Sequence, residues 1–178
     1  RRSSDLCNGD IWSASDAIRM MRETGVDGVV VGRGCLGRPW LFGDLQKAFD
    51  EYKRDPNSNK AIDLIQPNLG EVADAFKRHA ELLVEYFESE EHACRDIRKH
   101  VAWYFKGYPV GGEFRAKLAQ VESLAQMDEI LGELDHQLPY PGEGAEGPRG
   151  RLGGVKSCSL PDRWLESREL VGDDRTML

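Results

Sequence analysis

The chain has 178 residues, 31% charged and 40% hydrophobic, with a formal net charge of −7. That is an ordinary composition for one globular domain or two small ones. It argues against a surface that binds nucleic acid or anionic membrane all over, while leaving room for a local basic patch.

No apolar run approaches the roughly 20 residues of a membrane span, so no membrane partner is expected. No charged-then-apolar signal sequence is expected either. Cys7, Cys35, Cys94 and Cys158 lack CxxC spacing. They read as free thiols of a cytoplasmic protein, without a metal site.

In chain order, Arg1–Leu6 is short and too polar for a buried strand. Ser13–Thr24 predicts a helix. Ser13 and Asp16 have capping-box spacing, Ala14, Ala17, Ile18 and Met21 share a face, and Gly25 supplies the stop. Val26–Val31 is a nearly continuous apolar run, which suits a strand buried on both faces of a parallel sheet. Pro39 fits the first turn of a second helix with Leu41, Leu45 and Phe49 on its inner face. Residues 1–50 therefore read as α/β material and residues 51–70 as a linker.

Residues 71–138 read as all-α, a small bundle of four helices. Glu71–Phe87 carries an apolar stripe that includes His79, expected in the core. A helix from Ser89 to Lys106 repeats Ala93, Ile97, Val101 and Phe105. A short helix lies near Phe114–Val121, and a last one is capped by Ser123 with Gln126. From Pro139 to Leu178 the Pro/Gly-rich composition predicts a disordered tail.

Two stretches carry chemistry. In "VVVGRGCLGRPW" a strand runs into Gly32, Arg33 and Gly34. The glycines permit a sharp turn and close approach, and Arg33 adds a fork of donors suited to phosphate. "NGDI", with Asn8, Gly9 and Asp10, supplies a similar turn one βα unit earlier. Two adjacent βα turns meeting on one phosphate is the arrangement found after the last strands of a (β/α)8 barrel.

"NGDI" followed by "GVDGVVVGRGCLGRPWLF" resembles the end of the flavin-binding barrel of bacterial tRNA-dihydrouridine synthases. "IRKHVAWYFKGYP" resembles the signature of their C-terminal helical domain. The resemblance covers about Cys7–Leu134. It implies the last βα units of a TIM-type barrel, with Asn8, Gly9, Asp10, Gly32 and Arg33 at the FMN phosphate and ribityl end. It also implies NADPH as reductant and a tRNA uridine as substrate. The family's catalytic cysteine belongs to a part of the barrel upstream of "NGDI". Cys7 and Cys35 do not match it, so no catalytic residue is assigned, and this stretch alone is expected to be inactive.

Arg95–Lys117 gathers six cations against Asp96 and Glu113, with Trp103, Tyr104 and Tyr108 interleaved. Arg95, Arg98 and Lys99 share a helical face opposite Ile97, Val101 and Phe105. Basic residues hold phosphates, and exposed aromatics stack on bases. With the resemblance, this marks Arg95, Arg98, Lys99, His100, Tyr104 and Lys106 as tRNA contacts of a monomer. Two alternatives stay open at this level: a non-catalytic RNA-binding module with a barrel remnant, and another FMN-dependent oxidoreductase.

Overall fold

The computed structural model describes residues 5–150. Two short strands, β1 (Leu6–Asn8) and β2 (Gly28–Val30), pair in parallel, with Leu6 opposite Gly28 and Asn8 opposite Val30. Helix α1 (Ala14–Thr24) joins them in a βαβ unit. Its N-terminus carries the expected reciprocal box between Ser13 and Asp16, and Gly25 ends it at φ 70°. The stretch before "NGDI" therefore forms a strand despite its polar start. Leu6 is 63% exposed among the described residues, and β1 is held by its backbone pairing with β2. β2 is likewise not buried on both faces, because Val30 is exposed.

Helix α2 (Leu41–Arg54) begins two residues after Pro39. Its inner residues Leu41, Leu45 and Ala48 close a small core with Ile11, Ala14 and Ala17. The following segment is tied down rather than loose. Arg22 donates to the carbonyls of Pro56 and Ser58, at 2.9 and 2.6 Å. The fully buried Asp44 accepts from the Ile65 amide at 2.8 Å. Burial pushes the Asp44 carboxyl up, and the Ile65 bond opposes that shift.

The larger core lies among five helices: α3 (Leu69–Phe87), α4 (Glu90–Ile97), α5 (Val101–Tyr104), α6 (Gly111–Leu118) and α7 (Leu124–Gly132). α3 starts at an unexpected cap, Asn68, which exchanges bonds with Glu71. The single helix expected from Ser89 to Lys106 is interrupted. A 3₁₀ turn at Arg98–His100 separates α4 from α5, although Ile97, Val101 and Phe105 all remain buried. A fourfold spacing does not reveal one tightened turn.

The disorder expected from Pro139 onward does not hold for residues 139–150; residues 151–178 lie outside the described part. The backbone passes from Leu138, whose carbonyl accepts from the Leu69 amide at 2.9 Å, into a short 3₁₀ turn at Gly142–Ala145. Ala145 is 1% and Arg149 3% exposed. A Pro/Gly-rich segment needs few apolar side chains to be ordered when buried polar groups pin it.

Candidate functional site

The two glycine turns meet. Asn8–Trp12 and Gly32–Gly34 together line one cleft of about 300 Å³. Their close approach depends on Gly34, because a Cβ there would run into the Ile11 carbonyl. Gly32 is different. A Cβ at this position would meet nothing within 4 Å, so its backbone borders open space. Arg33 reaches from the second turn to the first, where its Nη2 lies 3.0 Å from Asp10 Oδ1. Its guanidinium carbon sits 5.3 Å from the centre of the Trp12 ring, within cation–π range. All five residues expected at a phosphate are thus brought to one cleft.

The lining suits a phosphate monoester. It offers a planar guanidinium fork, a backbone wall without a Cβ at Gly32, and the amide of Asn8. The Asp10 carboxylate holds one edge of the fork and sets a like charge beside any anion. Cys35 donates its thiol hydrogen to the Gly32 carbonyl at 3.1 Å and packs with the small core. Cys7 is half-buried in β1. Neither thiol is placed for proton transfer at the cleft. Cys158 lies outside the described residues.

The six residues expected at RNA divide sharply. Arg95 and Lys99 project outward, with side chains 64% and 58% exposed and paired to Glu91 and Asp96. Arg98 turns inward. Its Nε donates to the Val121 carbonyl at 2.9 Å and its Nη2 to that of Gln120 at 3.3 Å. Lys106 donates to the Glu146 and Pro148 carbonyls. Tyr104 is 5% exposed, which corrects the expectation of a stacking ring. Its hydroxyl lies 3.2 Å from His79 Nδ1 and its ring meets Phe76 edge-on. Burial raises its pKa to about 12. His100 is half-buried, edge-on to both His79 and Trp103, at 4.7 and 5.0 Å. Burial, with His79 and Lys99 beside it, lowers its pKa to about 4.

A polar junction that the sequence did not announce lies between the cleft and the helices. Arg38, 2% exposed, donates to the Trp12 carbonyl at 2.9 Å and pairs with Glu146 Oε2 at 2.8 Å. Glu146 also accepts from the Tyr140 hydroxyl. Arg149 donates to the carbonyls of Leu36, Trp103 and Ala145. Burial, together with the Arg38 charge, lowers its pKa to about 10. Arg38 and Arg149 each stand between a glycine and a proline in separate stretches of the sequence, but their burial is a tertiary property.

Among the described residues no helix is long and apolar enough to cross a membrane, and no group of three His, Cys, Asp or Glu side chains is arranged for a metal.

The family model described as Dihydrouridine synthase (Dus) matches residues 6–138. A Mycobacterium leprae protein named "Probable tRNA-dihydrouridine synthase" is 50% identical over 160 residues, 90% of this chain and 39% of that protein. A Mycobacterium tuberculosis protein of the same name is 48% identical over 160 residues, 90% of this chain and 38% of its own length. The Xanthomonas campestris tRNA-dihydrouridine synthase B is 35% identical over 118 residues, 66% of this chain and 32% of its own. The chain thus spans about two fifths of the length of the mycobacterial relatives it matches. A match of 160 residues within 178 necessarily includes residues 139–150, which lie past the end of the family-model match.

Proposed function

We propose, on the premise that the chain belongs to the dihydrouridine synthase family, that it forms part of a tRNA-dihydrouridine synthase. In this reading residues 5–54 are the last βα units of an FMN-binding (β/α)8 barrel, and the helices from Leu69 onward, with α4 and α5 counted as one interrupted helix, form a four-helix tRNA-binding domain. The enzyme reduces a uridine of tRNA to 5,6-dihydrouridine in the cytoplasm, acting as a monomer. Bound FMN supplies the hydride, which NADPH replenishes.

The observation that carries the reading is the single cleft lined by both glycine turns. There Arg33 binds the flavin phosphate through its guanidinium fork. Gly32 leaves the backbone close to it and Gly9 borders the same cleft, while Asn8 and Asp10 accept or donate at the ribityl hydroxyls. Of the six candidate RNA residues, Arg95 and Lys99 are the two whose exposure suits phosphate contact. Arg98, Tyr104 and Lys106 shape the domain that presents them, and His100 backs the basic face.

The test is mass-spectrometric measurement of dihydrouridine in tRNA from cells lacking their own enzyme. A protein carrying this chain restores the modification, and the same protein with Arg33→Ala does not. Undiminished dihydrouridine with Arg33→Ala contradicts the assignment.

A further inference from the structure

The segment after the last helix does more than follow the fold. It leaves the helical domain at Leu138 and crosses the end of α5 at Gly107. That glycine has φ 84°, and a Cβ on it would run into Gly144 and Ala145. Arg149, almost fully buried, then binds the Trp103 carbonyl of the helical domain and the Leu36 carbonyl of the barrel turn with one Nη1. At Gly150 the chain comes near the side chains of Arg33 and Leu36. A Cβ built there would lie 3.5 Å from Arg33 Cδ and 3.4 Å from Leu36 Cδ1.

We propose that residues 139–150 are a strap that positions Arg33 for its anion and couples occupation of the cleft to seating of the strap on the helical domain. This rests on the reading of the cleft as a phosphate site. Arg33 is held against the Trp12 ring, and Trp12 is tied through its carbonyl to Arg38, which the strap grips through Glu146. An arginine has a long flexible stem, so confining it before the ligand arrives lowers the entropic cost of binding. The strap does not touch the ligand; it acts through Arg33.

Arg149 is the pin. Its planar fork joins three carbonyls from three segments, which a lysine cannot reproduce. Glu146 is the second fastening, because it takes Arg38 on one carboxylate oxygen and Tyr140 on the other. Since the strap reaches Arg33 through Arg38 and Trp12, and Arg33 reaches the anion, the coupling is reciprocal. An anion that fixes Arg33 favours the seated strap by the same free energy with which the seated strap favours the anion.

The experiment uses a protein carrying this chain, as in the dihydrouridine test, with FMN as ligand and riboflavin as the same ring without a phosphate. In the wild-type protein FMN slows amide hydrogen exchange across residues 139–150, and riboflavin does not. Arg149→Lys and the milder Glu146→Gln each weaken FMN binding by about two- to tenfold, the equivalent of one side chain's rotamer freedom. Both leave riboflavin binding unchanged. If FMN leaves strap exchange unaltered while Arg33→Ala abolishes the preference for FMN over riboflavin, the strap inference is wrong and the cleft reading stands. If Arg33→Ala leaves that preference intact, the cleft reading falls and this inference with it.

Discussion

Arg33 Nη2 lies 3.0 Å from Asp10 Oδ1, so an ion pair joins two turns that are 23 positions apart in sequence across the mouth of one cleft. Both side chains are solvated, at 49% and 72% exposure, and such a pair contributes at most about 1 kcal/mol to folding. Its larger consequence falls on a ligand. Asp10 places a negative charge beside the anion that Arg33 attracts.

Asp10→Asn is therefore expected to leave thermal stability almost unchanged and to tighten binding of inorganic phosphate. Removing one like charge at surface dielectric is worth on the order of 1 kcal/mol, about fivefold. A phosphate titration followed by NMR checks this. Weaker phosphate binding in the variant means that Asp10 serves the site mainly by orienting Arg33.

The cations of the helical domain separate by experiment. Changing Arg95 and Lys99 together to glutamine is expected to leave the melting temperature alone. It lowers the slope of log tRNA affinity against log salt by up to about 0.9 per lost phosphate contact. Arg98→Met does the opposite. Loss of two charge-assisted bonds to the turn before α7 costs about 1.5–3 kcal/mol of stability. Filter binding across salt, paired with thermal unfolding, reads both effects.

Gly37→Ala is expected to be more damaging than Gly25→Ala. Both positions have positive φ, 61° and 70°, which costs a side chain about 1–2 kcal/mol. At Gly25 the added Cβ meets nothing, whereas at Gly37 it runs into the backbone of Trp103 and Tyr104. Neither backbone can turn aside as a side chain would. Denaturant unfolding of the two variants gives the comparison, and equal losses show that the barrel turn and α5 are free to separate.

His79 and His100 make stability depend on pH. Both have folded-state pKa values below the ordinary histidine value, chiefly through burial, with His100 near 4. The unfolded chain therefore takes up protons first as pH falls. The contribution of His100 is complete above about pH 6.5, declines from there, and is lost as pH falls through about 4. The upper bound is about 3.5 kcal/mol, at about 1.4 kcal/mol per unit, and solvent screening of the half-buried ring lowers the actual contribution. Asp96 favours the charged form and Lys99 opposes it. His100→Gln is expected to flatten stability between pH 4 and 6.5 in urea titrations at fixed ionic strength. An unchanged profile assigns the acid sensitivity elsewhere.

What the sequence disclosed was mostly local. The Ser13–Asp16 box and the Gly25 stop depend on neighbours in the chain, and both form as expected. The two glycine turns were legible because each carries its own conformational signature, and their meeting followed from the βαβ order between them. The misses share a different cause. β1 forms through backbone pairing with β2, a contact that residue polarity does not record. Tyr104 and Arg98 sit among exposed cations in sequence, but His79 and Phe76 hold the tyrosine inward and the Gln120 and Val121 carbonyls hold the arginine. Arg38 and Arg149 are buried, and Glu146 partly so, against partners more than 100 positions away, such as the Arg149 bond to Leu36 and the Arg38 pair with Glu146. No periodicity records such a contact.

The most direct measurement of the central claim is the ratio of FMN to riboflavin affinity in wild type, Arg33→Lys and Arg33→Ala, read by flavin fluorescence at equal protein fold. The account predicts that wild type prefers FMN, that alanine weakens FMN by about ten- to a hundredfold with riboflavin unchanged, and that lysine recovers only part of the loss. An FMN preference that survives Arg33→Ala undiminished would contradict it.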